Sequence, residues 1–347
     1  MDINERLNTF ILLGKFLVNY SPANYAQWDS KLTELIENDN IYNPWFTKEN
    51  IIQSFKAIGE SLSEDKIKLW IKKYPNLQQK TNTKRIGVVT AGNIPLVGFH
   101  DFLCVLVSGN VFIGKLSSKD NRLLKFIADF IIQVNNKFED LIFFTEDKLE
   151  KFDAIIATGS NNTARYFEYY FGKYPHIIRK NRNSIAVLNG NESNEDIENL
   201  GNDIFSYFGL GCRNVSKIFV PEDYCFDHFF EHIEKYNSIY QHNKYANNYD
   251  YNKSIYLMNR IQHLDNGFLI VKEDAGISSP IGVVFFEYYK NIEQVKQYIL
   301  INQEQIQCVV SIENLTEGVI PFGKAQQPEL WDYADNIDTM DFLTRLH

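Results

Sequence analysis

The first 80 residues carry apolar side chains at helical spacing. One series runs from Leu7 to Leu17 and a second from Ile51 to Leu62. Apolar residues three and four positions apart lie on one face of a helix. Thr47 is a residue type that caps helix N-termini, so the second series is predicted to begin just after it. The pattern predicts an N-terminal helical segment over residues 1–80.

From Arg85 onward, short continuous apolar runs alternate with helical stretches. Continuous apolar runs of this length are typical of strands buried on both faces of a parallel sheet. A long amphipathic helix is predicted over 122–138 and another that reaches Phe208. Strands are predicted at 86–90, 111–115, 141–144, 153–157, 184–188 and 216–220, and near 267–271, 282–286 and 308–311. The alternation predicts two α/β domains.

Composition and charge argue against a nucleic-acid-binding protein, a membrane-spanning protein and a protein built on disulfides or a cysteine metal site. The chain has 347 residues and a net charge of −9, and no stripe of Lys and Arg suggests binding to nucleic acid. No window holds the roughly 18 uninterrupted apolar residues of a membrane span, and no targeting segment is evident. Four cysteines are scattered without metal-site or disulfide spacing. We expect no metal site, reduced thiols and a cytoplasmic location.

Cys212 is the strongest candidate for chemistry. It follows Gly209-Leu210-Gly211 at the junction between a helix and a β-branched strand. Glycines allow unusual backbone angles and close approach of a ligand. Cys104 and Cys308 instead lie in apolar runs and are predicted to be core residues. Exposure at a junction favours a reactive thiol at Cys212, although a structural cysteine fits the same pattern.

Three other positions have both a functional and a structural interpretation. Asn93 lies in a turn, where its amide either supports the turn or donates to an oxyanion. Lys115 ends a predicted strand and is either a solvated surface residue or a contact to a nucleotide. Gly159 and Ser160 follow a buried strand and open a helix, which is either an ordinary capped turn or a phosphate site.

Taken in order, these motifs resemble the aldehyde dehydrogenase superfamily, and specifically its LuxC-like acyl-CoA reductase branch. The resemblance extends from Arg85 to near the C-terminus. It rests on Ala91-Gly92-Asn93-Ile94-Pro95-Leu96, Gly114-Lys115-Leu116-Ser117-Ser118, Ala157-Thr158-Gly159-Ser160 and Phe208-Gly209-Leu210-Gly211-Cys212. It implies an aldehyde-dehydrogenase-like α/β fold with a Rossmann-type cofactor domain, an α/β catalytic domain and an N-terminal helical segment.

The resemblance also implies roles and boundaries. Cys212 is expected to be the catalytic nucleophile, and Asn93 with the Cys212 backbone N–H is expected to form the oxyanion hole. The implied cofactor-binding residues are Lys115, Ser117, Ser118, Gly159 and Ser160. The expected domains are 1–80 helical, 81–188 cofactor-binding, 189–322 catalytic, and 323–347 a tail. The segment Trp331 to Phe342 of that tail is expected to be a subunit-bridging strand in a homodimer.

Two departures from the superfamily pattern bear on the chemistry. NAD-preferring relatives often carry a Glu three residues after the lysine, whereas this chain has Ser118 followed by Lys119, a pair that favours NADPH. Hydrolytic relatives place a Glu before the strand that precedes the cysteine, but the stretch 176–183 contains no carboxylate. Without a water-activating base, exchange with a thiol such as CoA becomes the favoured exit of the thioester.

The sequence therefore predicts NADPH-dependent reduction of an acyl-CoA, or another acyl thioester, to an aldehyde. Two alternatives stay open at this stage. One is an NAD(P)-dependent aldehyde dehydrogenase that oxidises aldehydes to acids. The other is a non-catalytic acyl-accepting subunit that docks a partner reductase, acyl transferase or synthetase.

Overall fold

The computed structural model describes residues 1–23, 26–78 and 82–346, and the chain divides into two compact units. The first unit comprises Met1–Asn181 and Pro328–His347, and the second comprises Arg182–Gln327. Each unit is built around its own sheet. The expected domain boundaries stay predictions. Residues 182–188, expected in the cofactor-binding domain, and 323–327, expected in the tail, both belong to the second unit.

The N-terminal segment is helical, as predicted. Its helices are α1 (Ile3–Asn19), α2 (Gln27–Tyr42), α3 (Lys48–Ser61) and α4 (Glu64–Ile71). Thr47 caps α3, because its side chain accepts a hydrogen bond from the Asn50 backbone N–H at 3.3 Å. The apolar faces of these helices pack into the same core as one face of the first sheet.

The first sheet has five parallel strands in the order β3-β2-β1-β4-β5. These are β1 (Arg85–Val89), β2 (Val111–Lys115), β3 (Ile142–Phe144), β4 (Ala154–Thr158) and β5 (His176–Arg179). The intervening helices are α5 (Phe99–Val107), α6 (Leu123–Val134) and α7 (Asn161–Phe171). Ile86 and Val88 of β1 face the core that contains α5 and α6, whereas Ile155 of β4 faces the core that contains α7. Helices on both faces make this the predicted parallel α/β arrangement.

An ion pair buried from solvent fixes the edge strand β5. The Arg179 guanidinium contacts the Asp101 carboxylate of α5 at 2.5 Å and donates to the Thr339 hydroxyl at 2.8 Å. Thr339 begins the last helix, α12 (Thr339–Thr344). Asp338 caps this helix by accepting from the Asp341 N–H at 2.8 Å. The prediction of a strand over Trp331 to Phe342 is therefore wrong. This segment contains a 3₁₀ turn at Ala334–Asn336 and the start of α12, and the helix is capped and anchored within its own unit.

The second sheet has six strands in the order β11-β6-β7-β10-β9-β8, and only the β8–β9 pairing is antiparallel. The strands are β6 (Asn183–Val187), β7 (Val215–Pro221), β8 (Leu264–Asp265), β9 (Ile270–Glu273), β10 (Val283–Tyr289) and β11 (Ile306–Val310). The helices are α8 (Asn194–Phe205), α9 (Phe226–Ile233), α10 (Asn243–Met258) and α11 (Ile292–Ile301). Residues of α8 and α9 cover one face and residues of α11 cover the other, which confirms the second α/β segment.

Two helices are shorter than the sequence predicted. The helix predicted to reach residue 138 ends at Val134, because the Asn135 side chain caps a following 3₁₀ turn. The helix predicted to reach Phe208 ends at Phe205, because the backbone of Tyr207 and Phe208 is left-handed. In the described part of the chain, no helix is both long and apolar enough to cross a membrane.

Candidate active site

The carboxyl ends of β1, β2 and β4 lie at one edge of the five-stranded sheet. Val89 of β1 pairs in parallel with Lys115 on one side and with Ala157 on the other. The chain proceeds from β1 to β2 and β3, then returns past β1 to β4 and β5, so the strand order reverses between β1 and β4. Such reversals are where open α/β sheets bind nucleotides. This edge is the candidate cofactor site, and it brings together the loops that contain Asn93 and the predicted cofactor-binding residues.

The turn after β1 has a fixed, partly strained backbone. Leu96 has a φ of +60°, a left-handed conformation that costs a non-glycine residue about 1–2 kcal/mol. Its backbone N–H donates to the Asp120 carboxylate at 2.8 Å, and the Pro95 carbonyl accepts from the Ser54 hydroxyl at 2.9 Å. Asn93 lies exposed in the same turn. The two contacts therefore hold the backbone at Pro95 and Leu96, two and three residues after Asn93.

The loop after β2 packs directly on this turn. The Ser117 N–H donates to the Thr90 hydroxyl at 3.2 Å, and a Cβ placed at Gly92 would lie 2.5 Å from the Ser117 hydroxyl oxygen. Glycine at position 92 is thus required by close approach of the two loops. Ser118 and the next residue, Lys119, are exposed.

The segment after β4 forms a capped helix start. Ser160 caps α7, because its hydroxyl accepts from the Thr163 N–H at 3.2 Å. A Cβ at Gly159 would lie 3.0 Å from the Thr163 Cβ, so this position also favours glycine. The capped turn that the sequence suggested is confirmed. The partial positive charge of the α7 N-terminus lies at the same edge and is favourable for an anionic group.

The charges at this edge suit a phosphate-bearing cofactor. The Lys115 ammonium donates to the Asp147 backbone carbonyl at 3.1 Å. Within residues 1–23, 26–78 and 82–346, neither Lys115 nor Lys119 has a carboxylate partner. Two ammonium groups, the Ser117 and Ser118 hydroxyls and a helix N-terminus are the groups that bind phosphate and ribose oxygens. The residues present therefore fit the phosphate and ribose groups of a dinucleotide.

Cys212, in the second unit, follows a strained segment. Tyr207, Phe208 and Gly209 have φ angles of 51°, 58° and 77°, three left-handed residues in succession. Only the last is a glycine, so the first two cost about 1–2 kcal/mol each. Tyr207 is buried, and the Phe208 ring packs on His242 with centroids 4.2 Å apart. Strain held by surrounding packing is typical of functional loops.

Cys212 itself occupies a tight turn that leads into β7. The Asn214 N–H donates to the Gly211 carbonyl at 3.1 Å, and the Gly211 N–H donates to the Asn214 side-chain oxygen at 2.8 Å. The Cys212 carbonyl accepts from the Ser184 hydroxyl of β6 at 3.0 Å. The Cys212 side chain is partly exposed, whereas Cys104 and Cys308 are buried as predicted. The cysteine backbone is therefore fixed on both sides.

A buried carboxyl group that sequence reasoning missed lies beside this turn. Asp203 in the last turn of α8 accepts from the Gly323 and Ala325 N–H groups at 2.7 and 3.0 Å. Burial raises its pKa to about 6, against the lowering effect of those two hydrogen bonds. Arg213, the neighbour of Cys212, donates to the Ala325 carbonyl. A signal was available, because Asp203 interrupts the apolar face of its helix.

Asn214 and Asp120 were also missed, for a different reason. Each is a short polar side chain in a polar stretch, where nothing distinguishes a buried residue from a solvated one. The structure shows that they are 2% and 6% exposed and that both hydrogen-bond to backbone groups of the predicted loops. Their partners lie 3 and 24 positions away, and only the second requires the tertiary fold.

Comparison with protein families gives a direct result. The model of the family described as acyl-CoA reductase (LuxC) matches residues 23–314, which contain every predicted site residue. The chain belongs to this family. Its members are oxidoreductases that form or handle aldehydes, and so is this protein. A search of curated proteins found no match.

Solved structures of aldehyde dehydrogenases share the fold of this acyl-CoA reductase family member. Aldehyde dehydrogenase 21 from Physcomitrella patens is 13% identical with a TM-score of 0.60, over 99% of this chain and 88% of that one. An indole-3-acetaldehyde dehydrogenase with NAD⁺ is 13% identical with a TM-score of 0.63, over 90% and 72%. An NADP-dependent enzyme from E. coli is 10% identical with a TM-score of 0.62, over 90% and 73%. These similarities establish the aldehyde-dehydrogenase-like fold.

The burial of Asp120 generates a test of the first unit. Burial raises its pKa to about 7, against the lowering effect of the Leu96 N–H. Between about pH 4 and 7 the folded protein therefore holds a proton that the unfolded chain releases, so stability falls as pH rises. Asp120→Asn keeps an acceptor for Leu96 and cannot ionise. We expect the variant to gain stability relative to wild type across this range, by up to roughly 4 kcal/mol.

The measurement is urea unfolding at several pH values, followed by tryptophan fluorescence. All four tryptophans (Trp28, Trp45, Trp70 and Trp331) belong to the first unit, so the signal reports that unit. Asp129→Asn, at an exposed carboxyl of α6, is the matched control. Identical pH slopes for wild type and Asp120→Asn would show that Asp120 carries no such penalty.

Proposed function

We propose that this protein reduces an acyl-CoA, or a closely related acyl thioester, to an aldehyde, with NADPH as the reductant and Cys212 as the nucleophile. The observation that carries the proposal is the membership of the acyl-CoA reductase family, together with a partly exposed Cys212 in a turn that two hydrogen bonds close and that directly follows a strained segment. Strained loops held by packing are where nucleophiles are presented to substrates.

The cysteine acts by thioester exchange. The Cys212 thiolate attacks the acyl carbonyl carbon, and the tetrahedral intermediate expels CoA as its thiolate, which takes up a proton. The acyl group is then held as a thioester on Cys212. NADPH, when bound, supplies the hydride that reduces this carbonyl. The product of hydride addition is the alkoxide of a hemithioacetal; its oxygen re-forms the carbonyl of the released aldehyde, and the C–S electron pair returns to Cys212 as the thiolate.

Asn93 is proposed to stabilise the negative charge that develops on the carbonyl oxygen. Its turn is held by the Asp120 and Ser54 contacts, so its amide is presented by a rigid backbone. A preorganised donor costs no reorganisation at the moment of reaction, and such donors contribute strongly to acyl transfer.

Lys115, Ser117, Ser118, Gly159 and Ser160 are proposed to hold the cofactor at the sheet edge. Lys119 is proposed to favour NADPH over NADH, because its exposed ammonium can attract the 2′-phosphate. The preceding residue, Ser118, is uncharged, whereas a carboxylate at that position would repel the phosphate. A Lys ammonium binds phosphate as a point charge.

Replacing Cys212 by Ala is expected to abolish covalent acylation while cofactor binding persists. Intact-protein mass spectrometry after incubation with a medium-chain acyl-CoA detects the adduct, with and without NADPH. Cys225→Ala is the matched control, since Cys225 is an exposed thiol. An adduct on wild type and Cys225→Ala alone, cleared by NADPH with release of aldehyde, supports the reductase. An adduct that persists on Cys212→Ala contradicts the assignment.

Replacing Asn93 by Ala is expected to lower kcat by roughly 10²–10³-fold, about 2.7–4 kcal/mol, because it removes an oxyanion donor. Steady-state kinetics of aldehyde formation measure the loss, and the NADPH dissociation constant is expected to stay unchanged. Asn82→Ala, at an exposed amide before β1, is the control. A loss below tenfold would reduce Asn93 to a turn residue.

Replacing Lys119 by Ala is expected to lower kcat/KM for NADPH roughly 10- to 100-fold, because a hydrogen bond between charged groups contributes roughly 1.5–3 kcal/mol. The value for NADH is expected to stay the same. Lys173→Ala, at an exposed lysine beyond the carboxyl end of α7, is the control. Equal losses with both cofactors would argue against a role in discrimination, and a wild-type preference for NADH would overturn the choice of NADPH.

A further inference from the structure

The Asn214 side chain is the hub of the turn that carries Cys212. It is buried, and its oxygen accepts from the Gly211 N–H at 2.8 Å. Its nitrogen lies 3.0, 3.3 and 2.9 Å from the backbone carbonyl oxygens of Asp203, Ile204 and Ser206. The two hydrogens of this nitrogen are shared among the three carbonyls. One side chain therefore binds four backbone groups, on both sides of the strained segment.

These contacts satisfy groups that the local backbone leaves unpaired. The last carbonyls of a helix have no partner within the helix, and α8 ends at Phe205 because the next residues turn left-handed. Buried carbonyls without partners are costly. The side-chain amide of Asn214 hydrogen-bonds the carbonyls at the end of α8. If the helix continued, backbone N–H groups of the next turn would bond these carbonyls instead.

Asn214 also fixes the position of Cys212, through both its backbone N–H and its side chain. The Gly211–Asn214 turn is closed twice, by the Asn214 N–H to the Gly211 carbonyl at 3.1 Å and by the Gly211 N–H to the Asn214 side chain. Cys212 is the second residue of this turn. A rotation of its backbone would break a hydrogen bond of Asn214, so the amide couples the helix end, the left-handed segment and the nucleophile.

We infer that Asn214 is a positioning residue that sets the reactivity of Cys212 by tying its turn to the end of α8. It does not contact substrate in this role. The inference rests on the proposed function only in taking Cys212 as the nucleophile. It concerns the rate at which the thiol reacts, which is measurable without the reductase reaction.

The test compares Asn214→Ala with Asn252→Ala in a Cys225→Ala background. Asn252 is a matched control, since it is also buried and also donates to two backbone carbonyls, those of Asn248 and Ile281, but it lies in α10. The rate of alkylation of Cys212 by iodoacetamide is measured against pH, with the site confirmed by peptide mass spectrometry. The rate of acylation by a medium-chain acyl-CoA is measured in parallel.

We expect Asn214→Ala to lower the acylation rate at least tenfold and to change the pH profile of alkylation, while Asn252→Ala stays within twofold of the background. A purely structural role would lower the stability of both variants and leave the acylation rate and the pH profile of alkylation unchanged. That outcome would overturn the inference.

Hydrogen exchange of the wild-type protein covers the case in which the variants do not fold. The Gly211 and Asn214 amides are expected to be protected although they lie in a turn, and fast exchange at both would contradict the inference. If wild type is alkylated but never acylated, the proposed function fails while the alkylation comparison still decides the role of Asn214.

Discussion

The parallel pairing of β1 with strands on both sides is the constraint on which the first unit depends. Backbone hydrogen bonds to β2 and β4 fix where each of the three strands ends. Since parallel strands end at the same edge, the loops that carry Asn93, Lys115 and Gly159 are brought together regardless of their separation in sequence. The crossover helices make this possible, because each returns the chain to the edge of the sheet at which the strands begin, so that the next strand runs parallel to the last.

Buried polar side chains then convert loops into fixed geometry. Asp120 holds the left-handed Leu96 beside Asn93, and Asn214 holds the turn of Cys212. In both places a short side chain pairs with backbone groups that would otherwise be buried without partners, which offsets the cost of strained residues. These buried polar groups lower the stability of the fold at the places where the proposed chemistry needs a rigid backbone. The raised pKa of Asp120, caused by its burial, is one measurable sign of this.

The proposed reaction divides its tasks between the units. The first unit offers cations, hydroxyls and a helix N-terminus, which suit a dinucleotide, and the second offers a thiol in a constrained turn. In the proposed reaction neither set is sufficient alone, because the thiol would hold the acyl group and the bound cofactor would supply the hydride. The family match covers both sets of residues, since it extends over residues 23–314.

The sequence by itself determined the parallel α/β class, the helical N-terminal segment, most strands, the burial of Cys104 and Cys308 and the family, because these follow from apolar periodicity and from motifs within a few residues. It did not determine the edge strand β5, whose Arg179 is buried only because Asp101 and Thr339 approach it from distant parts of the chain. Nor did it reveal Asp120 and Asn214, whose polar character says nothing about burial. The roles of Cys212, Asn93 and the cofactor residues stay predictions. Tertiary structure decided which polar side chains became internal supports, since that depends on which backbone groups the fold leaves unpaired.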